Sequence, residues 1–246
     1  MSLLKNIVGR VLALWAAIVF ISGMLIVFIP MWIIGFWKEP KRSYIMHGIY
    51  RNWMRVFFFF SGIRLRVKGR EKFSPGQNYI VVYNHNTLLD VPVSVPFMPG
   101  ANKTIAKVEL ARIPVFGLLY KRGSVLVDRK SEESRKMSYL KMKEVLDMGL
   151  HMCIYPEGTR NKTNQPLQRF HDGAFRLSFD SEKPILPALI FNSKKVLPQK
   201  FFFFWPGKIE LHYLSPVSKR DFSSVEKLKE HVFNVMKEYY LKNSGR

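Results

Sequence analysis

The sequence is poor in cysteine and in acidic residues. Cys153 is the one cysteine among 246 residues, which excludes an internal disulfide and fits a thiol kept reduced in the cytosol. It lies in a predicted core strand, where a packing role is favoured over a reactive nucleophile. The 18 aspartates and glutamates stand against 39 lysines and arginines, for a formal charge of +21. This excess indicates an anionic partner: nucleic acid, a phospholipid surface or a phosphorylated substrate.

Motifs of several enzyme classes are missing as well. The sequence has no His-Glu-x-x-His, Walker or dinucleotide-binding motif, and its other histidines lack metal-ligand spacing, so we expect no metal site. Ser224-Val225-Glu226-Lys227 fits the Ser-x-x-Lys nucleophile pattern, but a serine that caps the following helix explains it better. No recognised nucleic-acid-binding module accompanies the positive charge, so we do not expect nucleic acid as the partner.

A long segment without charge chooses among the anionic partners. Residues 11–37 contain no charged side chain, and as one helix they would reach about 40 Å, against roughly 30 Å for a hydrocarbon core. The segment therefore either spans a bilayer with tilt, or kinks at Pro30, helped by Gly23 and Gly35, into two helices that dip into one leaflet. A cleaved signal peptide fits worse because the apolar region is too long. More cations follow the segment than precede it, which places the rest of the chain on the cytoplasmic face of the cell (inner) membrane.

Two further segments mix aromatic and basic residues. Residues 43–63 predict an amphipathic interfacial helix with cations at lipid phosphates, and the alternative is a core helix with a solvated basic edge. Residues 201–205, four phenylalanines and a tryptophan, fit a membrane-dipping loop and a buried strand edge about equally.

From residue 64 onward, short β-rich segments alternate with helical ones, which predicts an α/β domain with a mixed central sheet flanked by helices. We divide the chain into a membrane anchor with its interfacial helix, 1–63, and an α/β domain, 64–246. The predicted strands are 64–68, 77–83, 103–107, 124–128, 151–155, 185–190 and 208–213. The predicted helices are 90–97, 109–121, 132–149, 172–180 and 222–243, the last capped by Ser223 or Ser224.

Two polar segments follow predicted buried strands. The first is Asn84-His85-Asn86-Thr87-Leu88-Leu89-Asp90, which offers a base and a carboxylate. An imidazole with a reference pKa of about 6.5 can take a proton near neutral pH, and a carboxylate on its far nitrogen would fix its tautomer. On one continuous helix His85 and Asp90 would lie about 140° apart, so their contact requires a bend between them.

The second polar segment is Tyr155-Pro156-Glu157-Gly158-Thr159-Arg160. Its glycine permits close approach of a ligand, and the guanidinium of Arg160 forms a fork suited to phosphate oxygens. The segment therefore predicts an anion clamp, with an exposed turn as the alternative. Two polar segments at strand ends, one with a base and one with a clamp, favour an active site.

Together these segments resemble the glycerolipid acyltransferase family, specifically its bacterial 1-acylglycerol-3-phosphate (lysophosphatidic acid) acyltransferases. The first segment fits the family's Asn-His-x-Ser/Thr-x-x-Asp block, the HX4D motif, and the other matching segments are 106–110 with 113–117, 123–129, 155–160 and 185–189. The resemblance covers about residues 64–218. It implies transfer of a fatty acyl group from acyl-CoA or acyl-carrier protein to the sn-2 hydroxyl of 1-acylglycerol 3-phosphate, which gives phosphatidic acid in phospholipid synthesis.

The resemblance also implies roles for individual residues. His85 would be the general base and Asp90 its orienting carboxylate, with no covalent acyl-enzyme and no cofactor beyond the thioester donor. The residues expected to bind the acceptor are Lys107, Arg129, Glu157, Gly158, Thr159 and Arg160. Among these, Lys107 and Arg160 would contact the phosphate and Glu157 the glycerol hydroxyls. The expected partners are a phospholipid bilayer, the lysophospholipid and the donor.

Two departures from the family pattern affect details of the site. Tyr155 replaces the usual phenylalanine, and neither His171 nor Asp172 is the lysine that the family commonly has there. A basic contact to phosphate is therefore lost or moved to Arg169 or Arg176. The alternatives to this function are a sister acyltransferase for glycerol 3-phosphate or another lysolipid, and a non-catalytic basic protein that binds membranes.

Overall fold

The computed structural model describes residues 3–244, so the outermost residues of the predicted segments 1–63 and 64–246 lie outside the described range. The chain begins with a helical hairpin. Helix α1, Leu3–Ile34, and helix α2, Lys41–Ser61, run antiparallel. The indole of Trp15 donates a hydrogen bond to the carbonyl of Phe60 at 2.9 Å, and the rings of Phe20 and Trp53 lie 4.8 Å apart.

The remaining elements alternate between strands and helices. The strands are β1 Ile63–Lys68, β2 Ile80–Tyr83, β3 Asn102–Lys107, β4 Ser124–Val127, β5 His151–Ile154, β6 Ile185–Phe191 and β7 Gly207–Tyr213. The helices are α3 Asp90–Ser94, α4 Phe116–Gly123, α5 Glu132–Asp147, α6 Gly173–Ser181, α7 Ser193–Val196 and α8 Val225–Asn243. Each strand lies where the sequence predicted it, and Ser224 caps α8 through its side chain.

Within residues 3–244 these strands form one sheet in the order β1-β7-β6-β2-β5-β3-β4. Neighbours are parallel except for β6 and β7, which are antiparallel. One face of the sheet packs against the α1–α2 hairpin and α3, and the other packs against α5, α6 and α8. The predicted mixed α/β fold, with a central sheet flanked by helices, is confirmed.

Of the two geometries that the sequence left open for the apolar segment, the one with a kink at Pro30 does not occur, because α1 continues to Ile34 and the chain turns only at residues 35–40. One predicted helix is wrong. The helix predicted over 109–121 is interrupted, with a 3₁₀ turn at Val108–Arg112 before α4. Pro114 explains the interruption, because the ring of a proline disfavours helical geometry in the preceding residue, and Ile113 is extended.

Helix α2 has a buried face and an exposed face. Met54, Phe57 and Phe58 belong to the core beneath the sheet, whereas Phe59 and Phe60 are exposed. The segment therefore packs as a core helix along one side, which is the alternative that the sequence left open. Its exposed aromatic end remains available to a membrane surface.

Both ends of α1 contact the α/β domain. Near its start, the amide of Phe204 donates to the carbonyl of Gly9 at 3.1 Å. At its end, the Nη1 of Arg122 in α4 donates to the carbonyls of Met31 and Trp32 at 2.6 and 2.8 Å. A cation at the carboxyl end of a helix satisfies unpaired carbonyls and complements the helix dipole. The hairpin is thus fastened along its length.

The position of the Arg122 guanidinium depends on the absence of a side chain at Gly35. A Cβ at Gly35 would lie 1.7 Å from the guanidinium carbon of Arg122, so Gly35→Ala must displace the guanidinium from the carbonyls of Met31 and Trp32. Loss of these hydrogen bonds should destabilise the protein by about 0.5–1.5 kcal/mol. Gly48→Ala is the matched control, because nothing lies within 4 Å of its Cβ position in α2. We expect the control to stabilise by about 0.5–1 kcal/mol in thermal unfolding.

The double variant makes the assignment specific. Gly35→Ala combined with Arg122→Gln should destabilise by less than the sum of the two changes, because both remove the same contact. Additive effects would show that Gly35 matters for some other reason.

Candidate active site

The candidate site lies at the carboxyl edge of the parallel strands. β2 and β5 are neighbours, and they end directly before the two polar segments that the sequence singled out. β3 and β4 end at the same edge, before Val108 and Asp128. Loops that follow neighbouring parallel strands converge in space, which is why residues far apart in sequence meet here. Asn84 fixes the end of β2, since its side chain exchanges two hydrogen bonds with the backbone of Ile190 in β6.

The side chains of His85 and Asp90 are in direct contact. The Nδ1 of His85 lies 2.9 Å from the Oδ2 of Asp90. The chain bends between them as the contact requires, with His85 in the loop and Asp90 at the first residue of α3. Asp90 is fully buried, and the same Oδ2 accepts the backbone N–H groups of Asn86 and Thr87. With Nδ1 donating to a carboxylate, Nε2 is the nitrogen of a neutral imidazole that can accept a proton.

The backbone of His85 is held on both sides by the loop after β5. Its N–H donates to the Oε1 of Glu157 at 2.8 Å, and its carbonyl accepts the N–H of Asn161 at 2.6 Å. The second oxygen of Glu157 accepts the N–H of Gln168 at 2.9 Å. Both carboxylate oxygens of this glutamate, which is only 3% exposed, therefore bind backbone. Glu157 and Asn161 therefore fix the backbone of His85.

Burial raises the pKa of Glu157 from its ordinary value of 4.5 to about 7, although the two backbone N–H groups and His85 oppose the shift. Between these two values the folded protein retains a proton that the unfolded chain has lost. The contribution of Glu157 to the free energy of unfolding should therefore fall as the pH rises from 4.5 to 7, by up to about 3 kcal/mol.

Glu157→Gln removes this titration, because an amide does not ionise in this range. We expect the stability of the variant minus that of the native protein to increase between pH 4.5 and 7, in thermal unfolding at several pH values. Glu133→Gln, at an exposed position of α5, controls for loss of a carboxylate. A difference that stays constant across the window would contradict the assigned shift.

Tyr155, the departure from the family's phenylalanine, lies against the ring of His85. Its ring centroid is 4.4 Å from that of His85, and its buried hydroxyl lies 2.7 Å from the Oγ of Ser94. The additional hydroxyl is thus satisfied inside the protein. Because Ser94 belongs to α3, the pair also ties the loop after β5 to the helix that begins with Asp90.

Gly158 occupies a tight position within the predicted anion clamp. Its φ of +68° is in the left-handed region that favours glycine, and a Cβ there would lie 2.9 Å from the ring of His171. The guanidinium of Arg129 donates to the carbonyl of Gly158. The ring of His171 therefore lies beside Gly158, at one of the two positions where the family commonly has a lysine. Arg129 supplies a cation at the carbonyl of Gly158.

A cavity of about 1190 Å³ connects these groups. Its polar end is lined by His85, Lys107, Arg129, Gly158, Thr159 and Arg160. From there it extends between the hairpin and the sheet, along apolar side chains that include Ala13, Ala16, Phe20, Trp53 and Phe57. Such a cavity offers a base and several cations at one end and room for a hydrocarbon chain at the other.

The structure brings together most of the residues that the sequence proposed. His85 and all of the predicted acceptor-binding residues except Glu157 line one cavity. Four of these residues are exposed to solvent there: Lys107, Arg129, Thr159 and Arg160. Glu157 is not part of the cavity lining, and its two oxygens accept the backbone N–H groups of His85 and Gln168. Its acceptor-binding role stays a prediction, to which the structure adds this contact. The sequence did not indicate the roles of Asn161, Gln168 and Ser94, and nothing in their spacing could have done so.

The chain resembles several known proteins. It matches the Acyltransferase family over residues 64–191. It is 32% identical over 184 residues to a 1-acyl-sn-glycerol-3-phosphate acyltransferase of Helicobacter pylori, covering 74% of this chain and 76% of that protein. It is 33% identical over 159 residues to the enzyme of the same name, form alpha, from Homo sapiens, covering 63% of this chain. That match spans 56% of the human protein, so the chain corresponds to about half its length.

A solved structure shares the fold. The crystal structure of the 1-acyl-sn-glycerophosphate (LPA) acyltransferase PlsC from Thermotoga maritima superposes with a TM-score of 0.85 at 24% identity, covering 98% of each chain. This similarity extends over the α1–α2 hairpin as well as the sheet. The architecture described above is therefore found in a second protein.

Proposed function

The chain belongs to the Acyltransferase family, and on that basis we propose that it moves a fatty acyl group from a thioester to the sn-2 hydroxyl of 1-acylglycerol 3-phosphate. The product would be phosphatidic acid. The observation that carries the proposal is the contact of His85 with Asp90 at the polar end of a largely apolar cavity. A hydroxyl acceptor needs such a base, because an alcohol is a weak nucleophile.

The chemistry can be written with the groups present. The Nε2 of His85 takes the proton of the acceptor hydroxyl as its oxygen attacks the thioester carbonyl carbon. Asp90 stabilises the imidazolium that forms. When the carbon–sulfur bond breaks, the imidazolium of His85 gives this proton to the leaving thiolate of CoA or of an acyl-carrier protein. The base is regenerated, and no acyl-enzyme is formed.

The cations at the polar end support a phosphorylated acceptor. Lys107, Arg129 and Arg160 lie at the ends of three adjacent strands or the loops after them, around the mouth of the cavity. Arginine offers a planar fork for phosphate oxygens and lysine a point charge. We assign the acceptor phosphate to Lys107 and Arg160, with Arg129 beside Gly158 as a third cation. Neither Arg169 nor Arg176 is among the residues that line the cavity, so neither replaces the missing lysine there.

The packing of α1 supports a monotopic membrane position. This helix is long and apolar enough to cross a bilayer by length and composition. However, its contacts at Gly9 and Met31, separated by about 33 Å at 1.5 Å per residue, are both with the α/β domain. A crossing helix would place its ends on opposite membrane surfaces. We therefore propose that segment 1–63 lies in one leaflet, on the cytoplasmic face of the cell membrane, with the 64–246 domain beside it.

An acceptor panel tests the proposal. Purified protein is given labelled acyl-CoA or acyl-carrier protein with 1-acylglycerol 3-phosphate, glycerol 3-phosphate or a lysolipid with a different head group. We expect the first acceptor to be strongly preferred. Equal rates with all acceptors would overturn the substrate assignment, and a preference for glycerol 3-phosphate would identify the sister activity.

A further inference from the structure

The loop between α7 and β7, residues 197–206, is divided between core and solvent. We call it the aromatic loop. Phe203 and Phe204 are buried, whereas Phe201 is 86% exposed and Phe202 45% exposed. Residue 202 has a φ of +45°, in the left-handed region that a phenylalanine rarely adopts. The chain thus reverses at this point with two phenyl rings directed outward, which burial in the core does not explain.

Phe201 and Phe202 form the tip of the aromatic loop, and contacts on both sides hold this tip in place. The ring of Phe203 packs so closely on α1 that a Cβ at Gly9 would lie 2.1 Å from it. The Nζ of Lys200 donates to the side chain of Asn6 at 2.8 Å, and the N–H of Trp205 donates to the carbonyl of Val196 at 2.9 Å. The exposed rings are therefore presented beside the first turns of α1.

The surface around the tip has the composition of a membrane contact. Leu3, Leu4 and Ile7 of α1 are each more than half exposed, and they continue the apolar surface of the tip. Two lysines border it, Lys5 over the ring of Trp205 at 5.0 Å and Lys200 over that of Phe203 at 5.1 Å. Apolar rings bordered by lysines suit a bilayer that presents hydrocarbon below anionic phosphates.

We propose that the aromatic loop is a second membrane contact, which inserts Phe201 and Phe202 into the same leaflet as α1 of a bilayer containing anionic phospholipid. The proposal rests on the membrane-bound acyltransferase assigned above and adds a residue-level contact to it. Because the loop also lines the cavity that holds His85, this contact lies between the bilayer and the candidate site. The loop thus marks the side from which the acceptor's chain arrives.

The test measures the depth of single probes in the full-length protein. Cys153 is buried in β5, so an introduced exposed cysteine takes an NBD maleimide selectively. Phe201→Cys reports on the tip and Leu4→Cys on α1, while Leu140→Cys on α5, across the sheet from the hairpin, is the solvent control. Labelled proteins are bound to phosphatidylcholine–phosphatidylglycerol vesicles that carry brominated acyl chains.

We expect quenching at positions 201 and 4 and none at 140. Quenching at position 4 without quenching at 201 would overturn the second contact and leave the proposed function intact. The absence of quenching at both would overturn the membrane position itself.

A binding measurement adds an independent criterion. Phe201→Ser with Phe202→Ser should lower partition into these vesicles by about tenfold or more, because two phenyl rings lose an apolar environment. Met137→Ser with Leu140→Ser removes two apolar side chains, each about half exposed, from α5 and should leave partition unchanged. Equal losses in both pairs would overturn the proposal.

Discussion

Replacing His85 by alanine is expected to lower the rate of acyl transfer to 1-acylglycerol 3-phosphate by about 10²- to 10⁴-fold, the usual contribution of a positioned general base. The ring is the one imidazole at the polar end of the cavity among the described residues. Its loss removes the acceptor for the hydroxyl proton, but no contact of the membrane-facing surface. Binding to anionic vesicles should therefore remain at the native level.

His231→Ala is the matched control, because this exposed histidine of α8 is not among the residues that line the cavity. It should retain native activity in the same assay with labelled acyl-CoA. If His85→Ala transferred acyl groups at the native rate, the catalytic proposal would fail. The base would then be a different group. The basic membrane-binding protein that the sequence left open requires instead that the native protein itself transfers no acyl group.

The second large effect is expected from Asp90→Asn. The carboxylate accepts hydrogen bonds from the ring of His85 and from the N–H groups of Asn86 and Thr87. All three bonds end on Oδ2, so an amide oxygen could accept them too, but it carries no negative charge. We expect kcat to fall by about 10²-fold or more, because the tautomer and the imidazolium lose their support.

Stability should fall together with activity in this variant. The hydrogen bonds from His85, Asn86 and Thr87 lose the charge of their acceptor, which costs about 1–3 kcal/mol in thermal unfolding. Asp147→Asn, at the end of α5, removes a carboxylate outside the site and should change neither quantity. A variant at Asp90 that lost stability but kept its kcat would restrict this carboxylate to a structural role.

Local sequence was sufficient for most of the fold. Strand positions follow from short β-branched segments, and the cap of α8 from a serine before an amphipathic pattern. The interruption before α4 could also be predicted from the local sequence, since Pro114 opposes a helix through Ile113. The strand order was not available, because it is decided by pairing between segments more than a hundred residues apart, such as β1 with β7.

The same distinction applies to the site. The contact between His85 and Asp90 spans five residues, so the sequence could state its condition, a bend before the helix. The hydrogen bond from the backbone of His85 to Glu157 joins residues 72 positions apart. Only the pairing of β2 with β5 brings these two residues together. Glutamate in a motif suggests contact with ligand, but burial here orients its oxygens toward the main chain.

The reversal between β6 and β7 has a consequence for the distance between lipid and base. Because β6 is parallel to β2 and antiparallel to β7, the chain leaves β6 and returns through the aromatic loop into β7 at the edge where β2 ends, two residues before His85. A hydrogen-bonded ladder, rather than a flexible linker, therefore fixes how far the imidazole stands from the bilayer. Changes in the length of the chain before α1 should leave that depth unaltered, whereas one residue added to the loop should shift it.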